Sequence, residues 1–288
     1  MKKCNIHVAA VIAAFLIVTS MAAPASAAMS NQIITDGVIY NQVTDDSSLT
    51  ENFIDKTTHM TFSQLGKKYE EYCVEQGLPD LDAQLNENVA PDTIKVQINN
   101  FAQHEVDKGV IPNTAEAKAN VAISAARSAI WNLADQLKSR DPMAVAFLQH
   151  SLQDNPSNLY YAPSTAFAGE VKGSRECRNL VTNYVNYVNY VKRMHFSKYS
   201  SGNQSTILNS TEDLHLALNQ VNFVESGSKN SVGNWNLFIT FSDTYDFDPS
   251  WGSEGAATIM NNIAAYAQQG GVIVPYRVQI KIGTSFVG

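Results

Sequence analysis

Trp235-Asn236-Leu237-Phe238-Ile239-Thr240-Phe241-Ser242-Asp243-Thr244-Tyr245-Asp246-Phe247-Asp248-Pro249 is the stretch that decides the fold of this 288-residue chain. Trp235, Leu237, Ile239 and Phe241 alternate with Asn236, Phe238, Thr240 and Ser242, the two-residue period of a strand with one face in a core. Asp243, Asp246 and Asp248 with Pro249 then end it, since crowded like charges and a residue without an amide do not extend a ladder. Beyond this acidic corner, Gly255 leads into a helix bearing Ile259, Met260, Ile263 and Tyr266-Ala267, and Gly270-Gly271 supplies a left-handed stop. Tyr276, Val278, Ile280 and Ile282, alternating with Arg277, Gln279 and Lys281, make the last strand. Residues 200–288 therefore read as a small antiparallel module of strand, acidic corner, helix and strand.

Upstream the period changes to helical. Thr61 opens a helix with Leu65, Tyr69 and Tyr72-Cys73 on one side, stopped by Gly77-Leu78-Pro79. Asp92 is placed to cap a helix carrying Ile94, Val96, Ile98 and Phe101, and Asn113 or Thr114 opens an Ala-rich one through Val121, Ile130 and Leu137. At Asp141-Pro142 a further helix starts, the Asp side chain accepting first-turn amides and the Pro giving up an amide that had no partner. The Asn-Tyr-Val triplets at 183–191 belong to a helix from Ser174 to about Met194, whose last turn carries Lys192, Arg193 and His195. Residues 200–210 read as a surface loop, Ser210 with Asp213 as the cap of a short helix holding Leu214, Leu218 and Val221, and Ser226 to Gly233 as turn. The expected fold class is α+β: a signal peptide (1–27), a polar N-terminal arm (28–60) that is either a small hairpin or loose, a helical region (61–199) and the α+β module (200–288).

The leader follows from Lys2 and Lys3 ahead of the apolar run Val8 to Val18, with Ala25-Ser26-Ala27 as cleavage site. That run falls short of the roughly 20 apolar residues a spanning helix needs, and no later stretch approaches it, so the mature chain is expected outside the cytoplasm without a transmembrane span. Removing the leader takes two lysines and no acid, which turns the formal charge of −7 into −9. An acidic chain with no compact Lys/Arg cluster is not built to neutralise phosphates on a duplex, and nucleic acid is excluded as a partner on that ground. Cys73 and Cys177 remain in an exported chain, with a disulfide and two buried thiols both open readings.

The corner carries the chemistry. Asp243-Thr244-Tyr245-Asp246 resembles the D-x-Y-D signature of colicin M-type bacteriocins, which cleave the lipid-linked cell-wall precursor, and the ends of strands in C-terminal domains of secreted, toxin-like bacterial proteins. The likeness covers about the last fifty residues and rests on four or five of them. It implies catalytic roles for Asp243, Tyr245 and Asp246. That pattern continues to a His-Arg pair, and here Gly252 and Ser253 stand at those positions.

From the residues themselves, Asp243, Asp246, Asp248 and Glu254 are oxygen donors suited to a hard cation, magnesium or calcium, if any cofactor is used. The plain alternative has the two acids accepting backbone amides while Tyr245 and Phe247 pack under the sheet. Trp251 is a binding candidate beside the corner, and His215 with Asp243 or Asp246 would make a base oriented by a carboxylate. No helical pair of histidines, G-x-S-x-G elbow, P-loop or dinucleotide fingerprint occurs. Two functions remain. The first, preferred for want of the basic pair and of an organised nucleophile, is a non-enzymatic secreted accessory protein that binds another protein. The alternative is an extracytoplasmic hydrolase, toxin-like, acting on a lipid-linked cell-wall precursor or a phosphoester with a divalent cation at the corner.

Overall fold

The computed structural model describes residues 32–43, 58–78, 91–191, 198–247, 267–268 and 271–287. The leader, the acid-rich segment 79–90, the basic turn at 192–197 and residues 248–266 lie outside the described residues. Seven helices are described: α1 (Phe62–Glu75), α2 (Pro91–Asp107), α3 (Ala115–Leu137), α4 (Pro142–Ser151), α5 (Ala166–Gly173), α6 (Arg175–Val191) and α7 (Glu212–Ala217). Eight strands accompany them: β1 (Gln32–Thr35), β2 (Val38–Val43), β3 (Leu159–Tyr161), β4 (Lys198–Ser200), β5 (Gln204–Ile207), β6 (Gln220–Lys229), β7 (Trp235–Tyr245) and β8 (Tyr276–Phe286). The chain is α+β, with helices in its first two-thirds and most strand residues in the last third.

All strands join one mixed sheet in the order β1-β2-β3-β8-β7-β6-β4, with β5 on the same edge of β6 as β4. The pairs β6–β7 and β7–β8 are antiparallel, and β8–β3 and β3–β2 are parallel. Residues 32–43 form the hairpin β1–β2, turned by Asp36 and Gly37 at φ 51° and 77°, the two positive values a tight I′ turn requires.

The helix starts follow local chemistry. Thr61 accepts from Gln64 N at 3.1 Å while Gln64 Oε1 accepts from Thr61 N at 2.9 Å, a reciprocal pair that satisfies two first-turn donors. Thr114 caps α3 through Ala117 N. Two cap expectations are corrected. Asp141 makes no side-chain bond to the first turn of α4 and pairs with Arg140 instead. The first-turn amides of α4 go to a residue 70 positions away: Asp213 accepts from Met143 N at 3.1 Å and Ala144 N at 2.8 Å. Asp213 is thus taken from its own helix, where Thr211 caps α7 by accepting from Leu214 N.

Residues 220–229 form β6, so the expected turn at 226–233 begins only after Lys229, and Val221 lies on this strand and not on a helix. Val221, Phe223, Glu225 and Gly227 face the core. Gly227 is required there, because a Cβ at this position would lie 1.6 Å from the hydroxyl of Tyr184, which descends from α6. The loop expected at 200–210 contains β5, paired with residues 220–223 of β6. β3 was not foreseen.

Two hydrophobic clusters hold the fold. One is helical, built by Leu65, Tyr69, Ile98, Phe101, Val121 and Ile130 of α1 to α3 together with Val272 and Ile273. The other lies between the sheet and α4 to α7, with Phe147, Phe167, Tyr184 and Leu214 against the strands. Trp235, Leu237, Ile239 and Phe241 are at most 1% exposed, and burying four such side chains stabilises the fold by about 6–12 kcal/mol before entropy is counted. Cys73 and Cys177 are buried thiols in different clusters. Among the described residues no helix is long and apolar enough to cross a membrane.

Candidate functional site

The alternation of β7 fixes where its acid goes. Positions 235, 237, 239, 241, 243 and 245 share the core-facing side, so Asp243 occupies a slot in a row otherwise filled by Trp, Leu, Ile, Phe and Tyr. It lies at the end of the strand, opposite Val278 of β8, and is half-buried. Tyr245, the last paired residue, faces Tyr276 across the ladder. Asp246 follows one residue later and is exposed.

Aromatic rings close the core side of this corner. Tyr245 meets Phe147 of α4 with ring centres 5.7 Å apart, Phe247 at 5.4 Å and Tyr276 at 5.4 Å. Tyr276 donates its hydroxyl to the Phe147 carbonyl at 3.1 Å. His150 lies edge-on to Tyr276 at 4.6 Å. Its Nε2–H donates to the Ser157 carbonyl at 2.8 Å and its Nδ1 accepts from Gln153 Nε2 at 2.7 Å, a pairing that requires the neutral ring. Burial pushes His150 down to about 4, against the opposing pull of the Ser157 carbonyl. His150 is a structural histidine.

Asp243 is near this wall, close enough to Tyr276 for its charge to act on that ring's hydroxyl. Burial pushes its carboxyl from the ordinary 3.8 up to about 7, partly countered by the Thr244 amide, which donates to Oδ1 at 2.8 Å, and reinforced by the like charge of Asp246. Tyr245 and Tyr276 are raised by burial and stay protonated, Tyr276 also by the neighbouring Tyr245 and Asp243. A carboxyl that changes charge near neutrality beside a second acid is matched to proton transfer.

The plain alternative is realised only in part. Tyr245 packs under the sheet, but Asp243 receives a single amide, that of its own neighbour, among the described residues. Asp248, Trp251 and Glu254 lie outside the described residues. Among the described residues no group of three His, Cys, Asp or Glu is arranged to hold a metal ion. Asp243 and Asp246 are the described acids of the corner that could lend oxygens to a hard cation. His215 is exposed on α7 and forms no ion pair among the described residues.

Three contributors to the corner are not legible in the sequence: Tyr276, expected only as a core residue of the last strand, and Phe147 and His150 of α4, which lies about 100 residues upstream. The signal for Asp243 itself was legible: it breaks an apolar alternation at an inward position.

No family model matches this chain, and no curated protein does. Among solved structures, it is similar to PaeM, a colicin M-like bacteriocin produced by Pseudomonas aeruginosa, at 12% identity and a TM-score of 0.30, over 78% of this chain and 81% of that one. Truncated bacteriocin syringacin M from Pseudomonas syringae pv. tomato DC3000 gives 10% identity and a TM-score of 0.28 over the same shares. Syringacin M in a further crystal structure gives 13% and 0.25, over 78% and 72%. At these scores the likenesses establish neither fold nor activity for this chain.

Proposed function

We propose that this chain is an exported, toxin-like hydrolase that cleaves a phosphate ester or anhydride in the cell envelope, with Asp243 as its proton-transferring group. The observation that carries this reading is the core-facing carboxyl at the end of β7, held near neutrality by an aromatic wall and set beside Asp246. The D-x-Y-D resemblance names the substrate class, a lipid-linked cell-wall precursor.

Ionised Asp243 takes a proton from a water as its oxygen attacks phosphorus. The bond from phosphorus to the leaving oxygen breaks, and protonated Asp243 returns the proton to that oxygen, so the carboxylate is regenerated. A pKa close to ambient pH suits a group that must both accept and give. Asp246, which takes no part in the proton transfer, would help to hold a magnesium ion, which would supply charge neutralisation on the phosphate oxygens. Tyr245 holds the strand end against Phe147 and Tyr276 and keeps the corner dry on its core side.

A second reading, a secreted binding protein without catalysis, draws on Gly252 and Ser253 standing where the bacteriocin pattern has His-Arg. Turnover separates the two. The leader-free protein is assayed with lipid-linked precursors and simple phosphoesters, with magnesium or calcium, from pH 5 to 9. The hydrolase reading expects divalent-dependent release of product that rises through pH 7, and its loss in both Asp243→Asn and Asp246→Asn. Absence of turnover across the panel, or undiminished turnover in Asp243→Asn, overturns it.

A further inference from the structure

We infer that Arg277 is the cation of this corner and binds a phosphate of the substrate, in place of the basic pair that the neighbouring sequence lacks. The inference rests on the hydrolase reading for its substrate, but its evidence is separate. In the β7–β8 register Arg277 stands directly opposite Thr244, the residue between Asp243 and Tyr245. Cross-strand partners have Cβ atoms about 4.5–5.5 Å apart, and diagonal neighbours about 7–8 Å, within reach of a long side chain. Asp246, two residues past Thr244, is about 6–7 Å further along the chain. The guanidinium therefore originates within reach of the exposed carboxylate, on the rim where the sheet ends.

Its backbone is fixed by one asparagine. The Arg277 amide donates to Asn158 Oδ1 at 2.8 Å, while Asn158 Nδ2 donates to the Ile39 carbonyl at 3.0 Å and the Asn158 carbonyl accepts from Asn41 N at 2.8 Å. One asparagine thus ties the start of β8 to β2 and sets where Arg277 leaves the sheet. The side chain is exposed, and its guanidinium makes no hydrogen bond or ion pair among the described residues. The other cation on that side of β8, Lys281, lies over the Phe238 ring, 4.7 Å from its centre. A planar guanidinium offers two parallel donors to a phosphate, a fit a lysine ammonium does not reproduce.

Asp243 leans to the core side of the strand end and Arg277 to the other. A diphosphate lying across the rim would present one phosphorus to Asp243 and the second phosphate to Arg277. Arg277 is therefore assigned to substrate binding, not to proton transfer.

Inorganic pyrophosphate with magnesium is the probe, titrated calorimetrically into leader-free wild type and the variants Arg277→Gln, Arg277→Lys, Lys281→Gln and Asp243→Asn, with KM measured on the precursor in parallel. Losing a charge-assisted pair predicts pyrophosphate binding weakened about 10- to 100-fold in Arg277→Gln. Arg277→Lys should recover part of it, and Lys281→Gln should match wild type. Asp243→Asn should still bind pyrophosphate while losing turnover. Equal binding by wild type and Arg277→Gln, or no pyrophosphate binding by wild type, overturns the inference. Arg277-dependent binding without turnover of any precursor leaves it standing and removes the hydrolase reading. Turnover whose KM ignores Arg277→Gln does the reverse.

Discussion

Replacing Asp243 by Asn should make the protein less sensitive to alkali and, under the proposed hydrolase reading, abolish turnover. The unfolded chain ionises this side chain at its ordinary value of 3.8, whereas the folded protein keeps it protonated until about pH 7. Between those values the folded state binds more protons, so stability falls as pH rises from about 4 to 7 and is constant above. At about 1.36 kcal/mol for each pH unit the full loss is about 4 kcal/mol. Water entering at the strand end would reduce it towards half. Asn does not titrate, and its Oδ1 still accepts the Thr244 amide. Any fixed penalty from its extra N–H is the same at both ends of the range, so the informative quantity is the change in the difference between the proteins. Urea unfolding followed by tryptophan fluorescence, to which Trp235, fully buried in the same strand, contributes with Trp131 and Trp251, gives that difference at pH 4 and pH 8. The variant should gain about 2–4 kcal/mol relative to wild type between them. A difference constant within about 0.5 kcal/mol would refute the argument that the aromatic wall holds Asp243 protonated.

His150 should act in the opposite sense: the unfolded ring takes a proton near 6.5 and the folded one refuses it until about 4, so stability is lost as pH falls through that window, by about 3 kcal/mol. In His150→Gln that contribution should vanish; because Asp243 and His150 slope oppositely over the same range, urea midpoints of the wild type should be nearly flat there and each single variant should expose the other's slope. Gly227→Ala should cost about 1–3 kcal/mol, since Tyr184 is only 1% exposed and hemmed in by Tyr199 and Phe286, and Tyr184→Phe should restore part of it, measured as a double-mutant cycle in urea.

The strands β7 and β8 were legible because their inward positions are apolar at every second residue over seven or eight residues, and the caps at Thr61 and Thr114 because their partners lie three residues away. What the sequence concealed is tertiary. β6 was read as a turn from residue 226 because Ser226, Gly227 and Ser228 carry turn chemistry; Gly227 is there for Tyr184, 43 positions earlier, and not for a bend. β3 is only three residues long, too short for a period to register, although Leu159-Tyr160-Tyr161 is buried between two parallel neighbours. The cap of α4 was assigned to Asp141 by proximity, and the amides instead found Asp213 across the fold. At the corner, the acids were visible as residues, but the rings that gather there come from α4, the start of β8 and Phe247, and no local pattern predicts that convergence.

The described acids of this protein supply their own comparison for reading Asp243. Glu105 is buried and pairs with Lys68 at 3.2 Å, Asp141 is buried and pairs with Arg140, and Asp213 is buried and takes two helix amides. Each shows how this fold satisfies a carboxylate whose task is structural. Glu225 is buried without a side-chain partner among the described residues, but it stands in mid-strand, covered by α6 and far from any second acid in its ladder. Asp243 differs from all four among the described residues: one amide from its own neighbour, a like charge three residues on, and a position where the strand ends. Departures from local consistency of this kind are where function is expected, and that is the ground on which the proposed hydrolase reading places its proton-transferring group at Asp243 and not at one of the other four acids.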